Sequence, residues 1–172
     1  MNMFKKLSFV LLASFAAMSV MMGMGPLHRA ADRGDVAEVQ RLLAAGADVN
    51  EKVDGMTALH RAAENGSVAV IHALLNAGAI VDSRERMTLM TPLHYAGMRG
   101  HVNAARELVA AGADIRAQTY GYTGRGHSIV RYTPLGSALD GKHVKMVCAL
   151  LRRDDEVEAV EGLFRLRGAW FL

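Results

Sequence analysis

Thr91-Pro92-Leu93-His94-Tyr95-Ala96 decides the fold, because related peptides occur at three other places in the chain. The copies are Pro26-Leu27-His28-Arg29-Ala30, Ala58-Leu59-His60-Arg61-Ala62 and the more divergent Pro134-Leu135-Gly136-Ser137-Ala138. Their leucines lie 32, 34 and 42 residues apart. A period of this length indicates a stack of equivalent units, in which each unit packs on its neighbours.

Each unit carries the signals for two short helices. Thr91-Pro92 suits the cap and first turn of a helix, where the missing N–H of proline costs nothing. A second helix is predicted from apolar residues that share one helical face, which in the first unit are Val36, Val39, Leu42 and Leu43. Glycines follow both helices, at Gly34, Gly66 and Gly100 and at Gly46, Gly78 and Gly112. One such unit cannot bury its apolar face alone, so the units must stack.

The pattern resembles the ankyrin repeat, which has a period of about 33 residues and the signature T-P-L-H-x-A. The resemblance implies an all-α fold, a solenoid of about four helix-turn-helix units with hairpin-like connections and a C-terminal capping helix. The repeat domain is predicted at residues 23–152, with approximate repeats at 23–53, 54–86, 87–118 and 132–152 and an inserted loop at 119–131.

The two ends of the chain differ from the repeats. At the C-terminus, residues 153–172 are predicted to form the capping helix and a tail, and Trp170-Phe171-Leu172 either packs back on the stack or marks a truncated repeat. At the N-terminus, residues 1–22 are predicted to be a signal peptide or another hydrophobic segment. Lys5-Lys6 precede an uncharged run there, and cleavage would follow Ala16 or Ser19.

Three explanations of this N-terminal segment stay open. A cleaved signal would make the protein exported, periplasmic or secreted, and the two-lysine start favours a bacterial periplasm. An uncleaved helix would anchor the protein in a membrane, since about 17 to 25 apolar residues can span a bilayer. A wrongly assigned start codon would make the protein cytosolic.

Charge and motifs exclude several function classes. The formal charge is +3, or +1 without Lys5 and Lys6, and no polybasic stripe remains, so nucleic acid is not an expected partner. Cys148 is the only cysteine, which excludes an intramolecular disulfide and a thiolate zinc site. Neither a catalytic triad order, a zinc-protease motif nor a P-loop occurs. We therefore expect no enzymatic activity, no cofactor and no metal.

The recurring histidines are interpreted as structural. His28, His60 and His94 occupy one repeat position, which in ankyrin repeats hydrogen-bonds the neighbouring backbone. Such residues lie about one repeat apart, too far to share a metal ion. His72 falls outside this pattern on the second helix of its unit and is expected to be solvated.

The expected function is protein binding, because ankyrin repeats bind partners along a concave face made by hairpin tips and inner helices. Tyrosine, arginine and methionine, which are enriched at protein interfaces, occur at the corresponding positions of this sequence. The predicted partner-binding residues are Arg61, Arg84, Arg86, Tyr95, Arg99, Tyr120, Tyr122, Arg125 and His127. We expect a monomeric, non-enzymatic scaffold for a protein partner of unknown identity. The alternative is a membrane-anchored adaptor that organises a complex at the bilayer surface.

Overall fold

The structure is a computed structural model that describes residues 25–122, 129–140, 143 and 145. Side chains are described for residues 25–119, 133–139, 143 and 145. The predicted N-terminal segment 1–22, the predicted capping helix and tail 153–172 and Cys148 lie outside the described residues.

Four inner and three outer helices make up the described part of the stack. The inner helices are α1 (Pro26–Arg33), α3 (Ala58–Asn65), α5 (Pro92–Arg99) and α7 (Pro134–Asp140). The outer helices are α2 (Val36–Ala44), α4 (Val68–Asn76) and α6 (Val102–Ala110). Each inner helix packs on the next inner helix, and each outer helix on the next outer helix. The prediction of an ankyrin-type helical solenoid is confirmed.

Glycines end the helices as predicted. Gly34, Gly66 and Gly100 end the first three inner helices with φ angles of 69°, 70° and 71°. These left-handed conformations strain any residue that carries a Cβ atom. The glycines that follow the outer helices also have positive φ angles, at Gly46, Gly78 and Gly112.

The core is built from small and branched residues that recur in each repeat. The signature leucines Leu27, Leu59 and Leu93 of the inner helices are fully buried. The alanines that let these helices approach one another are also buried, at Ala30, Ala62, Ala96 and Ala138. The outer helices contribute buried residues such as Val39, Ile71 and Leu108. The core is therefore continuous across the repeats, as a solenoid requires.

The inserted segment contains regular structure at both ends. Strands β1 (Thr119–Tyr122) and β2 (Ile129–Tyr132) pair antiparallel, with Thr119 opposite Tyr132. The prediction of an inserted loop at 119–131 is therefore corrected to a β-hairpin, whose connecting residues 123–128 lie outside the described residues. Its flanks are rich in aromatic and β-branched residues, which favour strands. The hydroxyl of Thr119 donates to the carbonyl of Thr88, which ties β1 to the preceding connection.

Over the described ranges, no helix combines the length and the apolar character needed to cross a bilayer.

Candidate functional site

His60 joins two repeats through both ring nitrogens. Its Nδ1 atom accepts from the backbone N–H of Thr57 at 3.1 Å and lies 2.8 Å from the Thr57 hydroxyl. Because Nδ1 accepts a backbone N–H, the ring proton is on Nε2, which donates to the carbonyl of Met90 at 3.1 Å. Burial is the main cause that lowers the pKa of His60 to about 4, so the ring is neutral at pH 7.

Parts of this arrangement recur along the stack, although His28 Nδ1 is buried without a hydrogen-bond partner among the described residues. His28 Nε2 lies 2.9 Å from the carbonyl oxygen of Met56, and His94 Nδ1 accepts from the backbone N–H of Thr91 at 3.2 Å. In the turn between α5 and α6, His101 Nε2 lies 3.0 Å from the carbonyl oxygen of Glu64 in the preceding repeat. The structural interpretation of these histidines is confirmed. Within the described residues, no group of three or more His, Cys, Asp or Glu side chains is placed to hold a metal ion.

Glu64 holds together arginines of two repeats. Its Oε2 lies 3.3 Å from Arg61 Nη1 on the same helix, and its Oε1 lies 2.6 Å from Arg99 Nη2 at the end of the next inner helix. The side chain of Glu64 is 19% exposed, whereas that of Arg99 is 58% exposed. We call Arg61, Glu64, Tyr95 and Arg99 the Glu64 cluster. It brings together three of the predicted binding residues.

Within this cluster, Tyr95 is half-buried and does not project freely into solvent. Its ring meets His60 edge-on, with 5.7 Å between centroids and 88° between planes. Its hydroxyl lies 3.9 Å from the sulfur of Met56. Burial raises the pKa of Tyr95, and the carboxylates of Glu85 and Glu64 raise it further. The phenol is therefore neutral and available for hydrogen bonding at neutral pH.

Arg84 and Arg86 lie on the connection between α4 and α5, on either side of a buried carboxylate. Glu85 is 6% exposed, and its oxygens accept from the backbone N–H groups of Met87 and Thr88 and from the Thr88 hydroxyl. The side chains of Arg84 and Arg86, on either side of Glu85, are both exposed.

The neighbouring repeats hold this connection in place. Lys52 Nζ donates to the Arg84 carbonyl at 2.9 Å, and Arg84 Nη1 donates to the Gln118 carbonyl at 3.1 Å. A Cβ atom at Gly55 would lie 2.7 Å from the Cβ of Arg86, so the two connections approach closely only because position 55 is glycine. The exposed arginines are thus presented by a well-supported backbone.

The other predicted binding residues lie in the insert. Tyr120 and Tyr122 are residues of strand β1. Arg125 and His127 lie outside the described residues. Two residues that organise the site, Glu64 and Glu85, were not among the predicted binding residues. The Arg61-x-x-Glu64 spacing could have indicated the first, since residues three apart are neighbours on a helix.

Comparison with protein families explains the repeated architecture. A family model described as ankyrin repeats (3 copies) matches residues 8–85 and again residues 27–119, which together span more than half of the chain. The chain belongs to the ankyrin repeat family. This ankyrin repeat protein has no match among curated proteins. Its first family match begins inside the segment predicted as a signal peptide.

Ankyrin repeats are protein–protein interaction modules, and the family is typically non-enzymatic. The inner helices and the connections between repeats are the elements that carry the Glu64 cluster, Arg84 and Arg86. We call their solvent-facing surface the inner face.

Proposed function

We propose that this ankyrin repeat protein is a non-enzymatic scaffold that binds a protein partner through its inner face and the 119–131 hairpin. The Glu64 cluster is the observation that supports this proposal best. It places a half-buried tyrosine and two arginines side by side across repeats 2 and 3. Tyrosine and arginine carry a large share of the binding energy at protein interfaces.

The distribution of exposed apolar side chains supports the same face. Among the described residues, the exposed large hydrophobic side chains are Ile80, Met87, Met98 and Ile115. All four lie on an inner helix or on a connection, and none lies on an outer helix. Met87 is 86% exposed, directly after Arg86. Exposed apolar residues beside arginines are typical of an interface that a partner covers.

The test is capture of partners from the native host with a triple variant, Tyr95→Ala, Arg99→Ala and Tyr122→Ala. We expect the captured proteins to be lost while the helical circular dichroism signal stays unchanged. Arg41→Ala is the matched control, because Arg41 is 63% exposed and pairs with Glu38 at 2.6 Å on the outer helix α2. Full capture by the triple variant would refute the proposed surface.

We further propose that the protein is exported, with a membrane-anchored adaptor as the alternative. The charged start at Lys5-Lys6 and the uncharged run after it support export. The family match begins at residue 8, which favours a different interpretation, in which part of this segment belongs to the repeat domain. The intact mass of the protein from its native host distinguishes export from membrane anchoring. A loss of about 16 to 19 residues supports export, and the full-length chain in the membrane fraction supports the adaptor.

A further inference from the structure

The charges on repeats 2 and 3 are unequally available to a partner. The stretches 58–65 and 84–99 contain four arginines, Arg61, Arg84, Arg86 and Arg99, and only two acidic residues, Glu64 and Glu85. Glu85 is buried, and its carboxylate accepts hydrogen bonds from backbone N–H groups and a hydroxyl of its own turn. The exposed ionic groups of these two stretches are therefore mainly guanidinium groups, and the adjoining connection adds the exposed carboxylate of Asp54.

These guanidinium groups use only some of their N–H donors in hydrogen bonds within the described part of the protein. Arg99 uses one nitrogen, Nη2, on a single oxygen of Glu64. Arg61 reaches the same carboxylate through one longer contact, and its buried Nε has no acceptor among the described residues. Arg86 is exposed and forms no hydrogen bond or ion pair with the described part of the chain. A guanidinium presents five N–H donors in a planar fork that matches a carboxylate, so the exposed Arg86 and Arg99 have donors free to bind a further carboxylate.

We propose that the inner face of repeats 2 and 3 binds an acidic segment of the partner protein. This inference rests on the proposed function and specifies its partner. Carboxylates of the segment contact Arg84, Arg86 and Arg99. Glu64 is an internal carboxylate that occupies Arg99 in the free protein and competes with those of the partner. An extended segment of six residues reaches about 20 Å, enough to cross neighbouring helices that lie about 8 to 10 Å apart.

The competition gives the proposal a distinctive test. Binding of a fluorescently labelled hexaglutamate peptide to the full-length protein is measured by anisotropy, with hexaglutamine as the uncharged control peptide. Arg99→Ala should weaken binding roughly threefold to tenfold, as expected for the loss of one charge-assisted contact. Glu64→Gln should strengthen it by a similar factor, because it removes the competing charge and keeps the side-chain shape. Arg41→Ala should leave it unchanged.

Three results would overturn the inference: equal binding of hexaglutamine, unchanged or weaker binding in Glu64→Gln, or tighter binding of a single-stranded oligonucleotide than of hexaglutamate. The last result would make nucleic acid the ligand of this surface. If hexaglutamate fails to bind while partner capture still depends on Tyr95 and Arg99, only the acidic character of the partner is wrong. If capture is independent of these residues, the proposed binding surface itself is wrong.

Discussion

The imidazole of His60 and the carbonyl of Met90 form a hydrogen bond of 3.1 Å that joins repeat 2 to repeat 3. The hydrogen bond at the other ring nitrogen depends on the protonation state of the ring. Nδ1 must stay unprotonated to accept from the backbone N–H of Thr57. A proton at Nδ1 would replace that hydrogen bond by repulsion and would put a charge inside the stack.

Acid should therefore weaken the stack before carboxylates titrate. The pKa of His60 is about 4 in the folded protein against a usual value of 6.5, with burial as the main cause, and burial also lowers the pKa of His28. The unfolded chain then binds more protons, so stability falls as the pH drops from 6.5 towards 4. His60 alone should cost about 2 kcal/mol between pH 7.5 and pH 5. Urea unfolding at several pH values measures this loss.

Variants identify the histidine responsible. His60→Gln should lower stability at pH 7.5 and flatten the pH dependence between 7.5 and 5. His72→Gln should leave the stability at pH 7.5 almost unchanged, because His72 is 53% exposed on the outer surface beside Glu107. An unaltered slope in His60→Gln would show that the acid sensitivity arises elsewhere.

The hydroxyl of Thr57 should contribute more than that of Ser67, although each precedes a helix. The Thr57 hydroxyl lies 2.8 Å from His60 Nδ1, whereas Ser67 forms no capping hydrogen bond with its side chain. Thr57→Ala should cost about 1 kcal/mol, typical of the loss of one buried hydrogen bond. Ser67→Ala should cost a few tenths of that. Equal shifts of the two urea midpoints would contradict this assignment.

Most of the scaffold was predictable because its signals are local and repeated. Thr91-Pro92 predicted the start of a helix and Gly100 predicted its end. Both signals depend on local backbone conformation, which adjacent residues in the sequence determine. The hairpin at 119–132 was not predicted, because this segment lacks the repeat signals and was therefore interpreted as a loop. Its strands depend on pairing between Thr119 and Tyr132, which sequence spacing does not show.

The candidate site was predictable only in part. Repeat position indicated that Tyr95 and Arg99 lie on the inner face. It could not show that Glu64 reaches Arg99 in the next repeat at 2.6 Å, because that contact depends on how two helices pack. Nor could it show that Glu85 turns inward between Arg84 and Arg86.

The leucine pair on the second outer helix illustrates the same limit. The helical spacing predicts both Leu74 and Leu75 on the apolar face, but only Leu74 is fully buried and Leu75 is half-buried. Leu74→Ala should cost about 2 to 5 kcal/mol, as core truncations do. Leu75→Ala should cost clearly less. Equal costs in urea unfolding would mean that the helix is rotated from the position described.

Gly97 should resist replacement by alanine even though alanine is the better helix former. In repeats 1 and 2 this position holds Ala31 and Ala63, both fully buried. A Cβ atom at Gly97 would lie 2.8 Å from the carbonyl oxygen of Pro134 on the next inner helix, and backbone atoms there can yield only if the helix shifts.

Helix propensity alone predicts that Gly97→Ala stabilises the protein by about 1 kcal/mol. The close approach of α5 and α7 predicts the opposite sign, a loss of about 1 to 3 kcal/mol from overpacking. Ala63→Gly is the companion variant and should also destabilise, because it removes a buried methyl group and adds backbone freedom. Thermal unfolding of both variants measures whether each lowers the melting temperature. A higher melting temperature for Gly97→Ala would show that α5 and α7 lie farther apart than described.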